Sequence, residues 1–309
     1  MLVYCLSMTS TAPLYKPVAP EKTARPNVLP GRTEFVTQMI GKTKRHGTPI
    51  RNVFVQHPKD ADTRPSKLAE FGRATYLDAF LWLHTLASAK EPYVVTYPSV
   101  AWARSLNLDA GSGVADDDTA TAVRQWSKIT RKLRDLNLVS TKRTGRGVEY
   151  TLLDESGNGA AYSRPKDTKD GNWFTLPDVY WLEDHYLALS HPAKVMLLIA
   201  LSSKEHFTLP LERTKEWYGI SRSTAQRGFR ELQNQGLLTY KQSWRLDPAN
   251  RRGWSEVRTY ELLGPYAKDA ITASMKNRRF APTKPTFAEA IDQAAEVEAE
   301  AQGDDPLDP

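Results

Sequence analysis

Arg222, Ser223, Thr224, Gln226, Arg227 and Arg230 stand close together in the chain, and each is a hydrogen-bond donor. A guanidinium can bond guanine O6 and N7 through two parallel hydrogen bonds, and a glutamine amide can pair in the same way with adenine N6 and N7. Ser223 and Thr224 suit phosphate oxygens if they sit at a helix N-terminus, where free backbone N–H groups also point. Arg222 in the same turn is a further phosphate candidate. A second set, Arg124, Lys128 and Arg131, lies earlier in the chain. Lys142, Arg143 and Arg146 follow that set, and Arg251 and Arg252 follow the first. Cations on such flanking hairpins position a polyanion rather than read it. Ordinary amphipathic surface helices carry solvated cations too, so the elements that hold these residues decide the matter.

Gly219 permits a tight turn, and Ser221 is a good N-cap because its hydroxyl can accept from a backbone N–H in the first turn. Ala225, Phe229 and Leu232 then recur at helical spacing and define one buried face. At 100° per residue, Ser223, Arg227 and Arg230 fall opposite that face, with Gln226 beside them. Gly236 fits the position that ends a helix, and a strand follows from Leu237. Over Thr119–Leu136 a longer helix places Ala122, Trp126, Ile129, Leu133 and Leu136 on one stripe, with Arg124, Lys128 and Arg131 opposite.

Composition bounds the function. The 309 residues suffice for two domains, and 40% hydrophobic with 25% charged residues is the balance of a soluble globular chain. The single cysteine, Cys5, excludes an intrachain disulfide and a cysteine-based zinc finger. No run approaches the length needed to span a bilayer, so a cytoplasmic, nucleoid-associated protein without membrane contact is expected. The formal net charge of +6 understates the positive body, because residues 288–309 hold eight acidic side chains and no Lys or Arg; residues 1–287 therefore carry a formal +14. Such an excess favours a polyanionic partner.

In chain order, residues 1–72 are proline-rich and basic and are expected to form a partly disordered arm, with Ile50–Gln56 as its best strand. Residues 73–153 make a first unit of helix, short strand, helix, long helix and hairpin, with a hairpin tip at 144–147. An acidic loop, including Asp116, Asp117 and Asp118, precedes the long helix and would repel phosphates. A Gly/Ser/Pro/Asp linker covers 154–171. Residues 172–264 repeat the order of the first unit, with an apolar helix over Pro192–Ser203 and a hairpin whose loop is expected over 245–255. Residues 265–309 are a C-terminal extension with the acidic tail. Aligning Lys132–Lys142 with Glu231–Lys241 gives an offset of 99 residues, an internal duplication at the level of pattern.

Enzymatic constellations fail on spacing. Gly41-Lys42-Thr43 resembles the end of a phosphate-binding loop, but Val36 stands where that motif needs glycine. The histidines are scattered, with no His-x-His pair to hold a metal, and the carboxylates at 116–118 are better explained as a loop or helix-start run. Trp102, Trp126, Trp173, Trp181 and Trp217 are expected as core anchors. No enzyme activity, cofactor or metal is expected.

The repeated order of elements resembles the winged helix-turn-helix family over residues 73–153 and 172–264. Tandem winged helices also look like the architecture of plasmid replication initiators and of regulators on actinobacterial mobile elements. The resemblance implies a mainly α fold with small antiparallel β-wings, an α+β class, in two tandem winged-helix domains. It implies groove helices at Thr119–Leu136 and Ser221–Gln235, with wings at Lys142–Val148 and Arg245–Ser255. The function it implies is sequence-specific binding of double-stranded DNA as a transcriptional regulator. The alternatives are a replication initiator at the origin repeats of a plasmid or integrated element, and a protein-interaction scaffold. Partners beyond DNA would be the replication or transcription machinery; the oligomeric state stays open.

Overall fold

The computed structural model describes residues 31–43, 45–56, 66–108, 115–145, 147–165 and 172–276, with the backbone alone of 115–118. They form a mixed α+β fold with one two-stranded and two three-stranded antiparallel sheets. The acidic tail, Cys5 and Arg146 lie outside these residues.

The described part of the segment expected as an arm, residues 31–43, 45–56 and 66–72, contributes a structural layer. Helices α1 (Arg32–Gly41), α2 (Asn52–Val55) and α3 (Lys67–Glu70) flank strand β1 (Gly47–Arg51). Val36, Met39 and Ile40 of α1 are spaced at i, i+3 and i+4 and are buried, as are Ile50, Phe54, Val55, Leu68 and Phe71. Pro49 lies in β1, which among the described residues pairs with β5 (Trp173–Pro177) alone. An edge strand tolerates the missing N–H.

The rest of the chain runs through one succession of elements twice. The first pass is α4 (Ala74–Leu86), β2 (Val94–Tyr97), α5 (Ser99–Ser105), α6 (Ala115–Asp135), β3 (Val139–Thr144) and β4 (Gly147–Leu152). After β5, α7 (Val179–Leu182) and α8 (His185–Ala188) lead into the second pass. It comprises α9 (His191–Ser202), β6 (Phe207–Thr208), a 3-10 turn at Leu211–Arg213, α10 (Thr214–Tyr218), α11 (Arg222–Asn234), β7 (Leu238–Leu246) and β8 (Trp254–Leu262). Helix α12 (Lys268–Lys276) closes the described chain. Strand order is β2-β4-β3 in the first sheet and β6-β8-β7 in the second, the same topology.

The caps repeat as well. Asn137 and Gly236 both adopt left-handed backbone, with φ of 57° and 69°. Beyond each, the N–H of Leu138 or Leu237 returns to the carbonyl of Leu133 or Leu232, at 3.0 and 2.9 Å. This six-to-one bond satisfies a carbonyl that the helix end would leave unpaired and turns the chain into its hairpin. Helix α6 begins at Ala115, earlier than expected, so residues 116–118 fall in its first turn rather than in a preceding loop. Acidic residues favour that end of the helix dipole.

Two helices form the centre. Every residue of α4 from Leu77 to Leu86 is buried, and every residue of α9 from Ala193 to Leu201. Both enclose one charge. Lys194 Nζ lies 2.6 Å from Asp78 Oδ2, and Asp78 Oδ1 accepts from the Tyr180 hydroxyl at 2.7 Å. Lys194 also donates to the Tyr186 carbonyl. Burial pushes the Asp78 carboxyl up, while Lys194 and Tyr180 pull it back. Trp82 and Trp181 pack beside the pair with ring centroids 4.6 Å apart. The two passes thus share a core, and residues 32–276 fall in one compact unit.

The stretch expected as a linker is anchored in its described part. Glu155 is wholly buried; it accepts from the Arg51 backbone N–H at 3.1 Å and pairs with its guanidinium at 2.7 Å. Tyr162 is buried against His84 and Tyr93. Local composition cannot show a partner so distant in sequence. No helix of the described residues is long and apolar enough to cross a membrane.

Two outcomes are expected. Lys194→Met should cost about 3–5 kcal/mol in urea unfolding, because it strands the Asp78 carboxylate without its cation. Asp78→Leu combined with Lys194→Met should recover most of that loss, and a single variant as stable as the parent would contradict the structural role. The second outcome concerns acid. Burial first, then Arg164, Arg45 and Arg51, lower the pKa of His84 from 6.5 to about 3. The folded state therefore binds fewer protons than the unfolded chain between those values. Stability present above pH 6.5 is lost as pH falls through that window, at up to about 1.4 kcal/mol per pH unit. Urea midpoints at about pH 7 and about pH 5 should shift more in the wild type than in His84→Gln. The raised Asp78 and Glu155 carboxyls act in both proteins and cancel in the difference. Equal shifts would remove His84 from the acid response.

Candidate nucleic-acid interface

Helix α11 starts where Ser221 accepts from the Thr224 N–H at 3.1 Å. The Ser221 hydroxyl also lies 3.0 Å from Ser223 Oγ and 2.9 Å from Thr224 Oγ1, so three hydroxyls crowd the helix start. Ala225, Phe229 and Leu232 are buried. Phe229 stacks on Tyr260 of β8 at 4.3 Å between centroids, which pins the helix to the inner face of its sheet. In the first pass, Trp126 of α6 donates its indole N–H to the Tyr150 hydroxyl of β4 at 2.8 Å, a pin of the same kind.

A second contact sets how close α11 lies to α9. A Cβ on Gly228 would stand 2.3 Å from the Pro192 carbonyl oxygen and 2.6 Å from Met196 Cγ. Glycine here is a packing requirement. The sequence signal was a glycine inside a helix, where it costs about 1 kcal/mol relative to alanine, and the reason for accepting that cost is contact with α9. Glu231 adds a polar tie. It accepts from the Ser190 backbone N–H at 2.7 Å and from the Ser190 hydroxyl, so α11 is bound to the residue that caps α9.

The outer face of α11 carries Arg222, Ser223, Gln226, Arg227 and Arg230, all exposed, with Thr224 half-buried at its edge. Arg227 and Arg230 form no ion pair among the described residues. Arg222 differs. Its guanidinium stands 3.4 Å from Glu212, both side chains being two-thirds exposed. An exposed pair of this kind contributes at most about 1 kcal/mol, so a phosphate can displace it. On α6, Arg124, Lys128 and Arg131 are exposed opposite the buried Ala122, Trp126, Ile129 and Leu133, and they form no ion pair among the described residues. Lys142 and Arg143 of β3 are exposed as well.

The second hairpin departs from expectation. Its loop was expected over 245–255, but the strands continue to Leu246 and resume at Trp254. The turn is closed by Asp247, whose carboxylate accepts from the Ala249 N–H at 3.1 Å and the Ser255 hydroxyl at 2.5 Å. Those bonds hold its pKa below the usual carboxylate range. Gly253, at φ 70°, completes the reversal. Arg251 and Arg252 are exposed at the tip. A groove of about 580 Å³ separates the hairpin from α11, and Arg222, Gln226, Arg245, Asn250, Glu256 and Arg258 line it. Helix and hairpin therefore flank one polar groove, in which Arg222 pairs with Glu212, which also lines it, and Arg258 with Glu256 at 2.5 Å.

The exposed aromatics of this hairpin were missed in the sequence. Trp244, Leu246 and Trp254 are 62%, 65% and 51% exposed. Alternation along β7 continues past the edge of the core, and periodicity alone does not say where the core stops. Trp102, Trp126 and Trp181 are fully buried, whereas Trp173 and Trp217 are half-buried. Among the described residues no group of His, Cys, Asp and Glu side chains is placed to hold a metal ion.

Gly228→Ala tests the close approach. Propensity alone would stabilise α11 by about 1 kcal/mol, but overpacking against Pro192 and Met196 should cost about 1–3 kcal/mol. Net destabilisation is expected in thermal unfolding, and a raised midpoint would show that the helix can slide to make room. Comparison with protein-family models, curated proteins and solved structures gives no match for this chain.

Proposed function

We propose that residues 73–153 and 172–264 are two winged-helix units and that the protein binds double-stranded DNA sequence-specifically, without catalysis, as a cytoplasmic transcriptional regulator. The observation that carries this reading is the outer face of α11. Arg227 and Arg230 are exposed, without ion-pair partners among the described residues, on the side opposite the buried Ala225, Phe229 and Leu232. The same arrangement on α6 supports it, as does the formal net charge of +6.

In this reading Arg227 and Arg230 donate to guanine edges and Gln226 to adenine. Ser223, Thr224 and Arg222 hold phosphates at the helix start. Lys128 and its neighbours do the same work for α6, and the hairpin cations fix the register. A second reading, an initiator that binds origin repeats, is favoured by one observation. The apolar tip of the long hairpin suits contact with bases that have left the stack, which opening a duplex requires.

The test begins with selection of a duplex from a randomised pool, followed by fluorescence anisotropy at fixed salt. Arg227→Ala and Arg230→Ala should each weaken the selected duplex by about 1–3 kcal/mol while changing affinity for a scrambled duplex much less. Lys142→Ala and Arg143→Ala should weaken both duplexes alike and flatten the salt dependence. Undiminished specific affinity in the Arg227/Arg230 double variant would remove α11 from the interface.

A further inference from the structure

Strands β7 and β8 pair in register from Leu238↔Leu262 to Leu246↔Trp254. Side chains on one face alternate with those on the other, and directly paired residues share a face. Leu238, Leu262 and Tyr260 are buried, and Tyr260 stacks on Phe229, so this face of the sheet is the one that looks toward α11. Following the same face outward leads through Tyr240 and Gln242 to Trp244, Leu246 and Trp254. Trp244 and Leu246 are the two most exposed of the large apolar side chains described. They stand beyond the core: six residues of strand past Tyr240 extend about 20 Å. A fold gains nothing from two tryptophans and a leucine held so far into water.

The surroundings of this patch say what covers it. Arg251 and Arg252 occupy the turn, Lys241 lies on the opposite face of β7, Arg245 reaches the groove beside α11, and Arg251, Arg252 and Lys241 form no ion pair among the described residues. The two nearby carboxylates are engaged, Asp247 in closing the turn and Glu256 with Arg258. The tip is thus an apolar wedge ringed by guanidinium groups. A second copy of this chain would bring the same cations face to face, which is repulsive. A polyanion with an apolar interior meets both halves of the surface, and nucleic acid is that partner.

We propose that the tip of the β7–β8 hairpin is a wedge that enters the minor groove beside α11 and lodges Trp244, Leu246 and Trp254 against partly unstacked bases at a deformable AT-rich step. The inference rests on the duplex-binding reading and adds a mechanical act to it: the protein kinks or locally opens the DNA it binds. Apolar side chains that enter the minor groove elsewhere in protein–DNA recognition unstack a base step in this way, and pyrimidine–purine steps yield most easily. The flanking guanidinium groups hold the phosphates on either side while the wedge is in place.

The experiment uses the full chain and an AT-rich duplex with 2-aminopurine at a central TA step. Unstacking relieves the quenching of this base by its neighbours. Wild type should raise its fluorescence by about twofold or more on saturation. Trp244→Ser combined with Trp254→Ser should abolish that rise while anisotropy still reports binding within about tenfold of wild type. Trp244→Phe combined with Trp254→Phe should retain the rise. Both changes are at exposed positions, and circular dichroism checks the fold. Binding with no fluorescence change in wild type, or an equal rise in the serine variant, overturns the wedge and leaves DNA binding intact. Absence of binding to any duplex overturns the function proposed above together with the wedge. Sedimentation showing a wild-type dimer that the serine variant loses assigns the patch to a second copy and overturns the proposal as well.

Discussion

One buried cation holds the two passes of this chain in register. Lys194 is 3% exposed, and its ammonium group reaches Asp78 in α4, which also accepts from Tyr180. An ammonium and a carboxylate out of water are costly unless each finds the other and the remaining donors are used. The structure meets that condition with a hydroxyl from the β5–α8 connection and a carbonyl from α8. Many alternative packings of two apolar helices would bury similar area. Very few would also bring these charged groups together, so the pair selects one arrangement of α4 against α9. Everything attached to those helices inherits that arrangement, including α6 through α4 and α11 through Gly228 and Glu231.

The shared core alters what a duplicated unit means. Each pass carries its own three-stranded sheet, its own cap with left-handed backbone, and its own aromatic pin between helix and hairpin. Local geometry therefore repeats. The central helices do not stand alone, because α4 supplies the carboxylate and α9 the ammonium. The layer built from residues 32–56 and 66–71 extends this common support: β1 pairs with β5, and Arg51 pairs with Glu155.

How much of this could be read in the sequence follows from the range of each interaction. The faces of α6 and α11 were legible, because burial on a helix leaves a periodic trace and Ser221, Gly236 and Asn137 mark the ends. Exposure of Arg227 and Arg230 followed from the same wheel. Illegible were the partners distant in the chain: Asp78 for Lys194, Arg51 for Glu155, Glu231 for Ser190. A charged residue inside an apolar run announces that a partner exists without saying which. Composition also hid the described elements of residues 31–56 and 66–71, because the one proline among them, Pro49, sits on an edge strand. The hairpin tip was missed because alternation looks the same whether a face meets a core or solvent.

Strand order puts β3 and β7 at the open edge of their sheets. Each therefore shows one row of backbone N–H and C=O groups that no neighbouring strand among the described residues pairs, an invitation to strand-by-strand association with another molecule. Lys142 and Arg143 stand on β3, Lys241 and Arg245 on β7. Lysine and arginine on an exposed edge discourage such pairing by mutual repulsion. The cations proposed to meet phosphates thus also discourage edge pairing in the free protein, and under the proposed function bound DNA would neutralise that guard while covering the edge. A chain stripped of these charges would present an unprotected seam of backbone, and under the proposed function it would lose affinity as well.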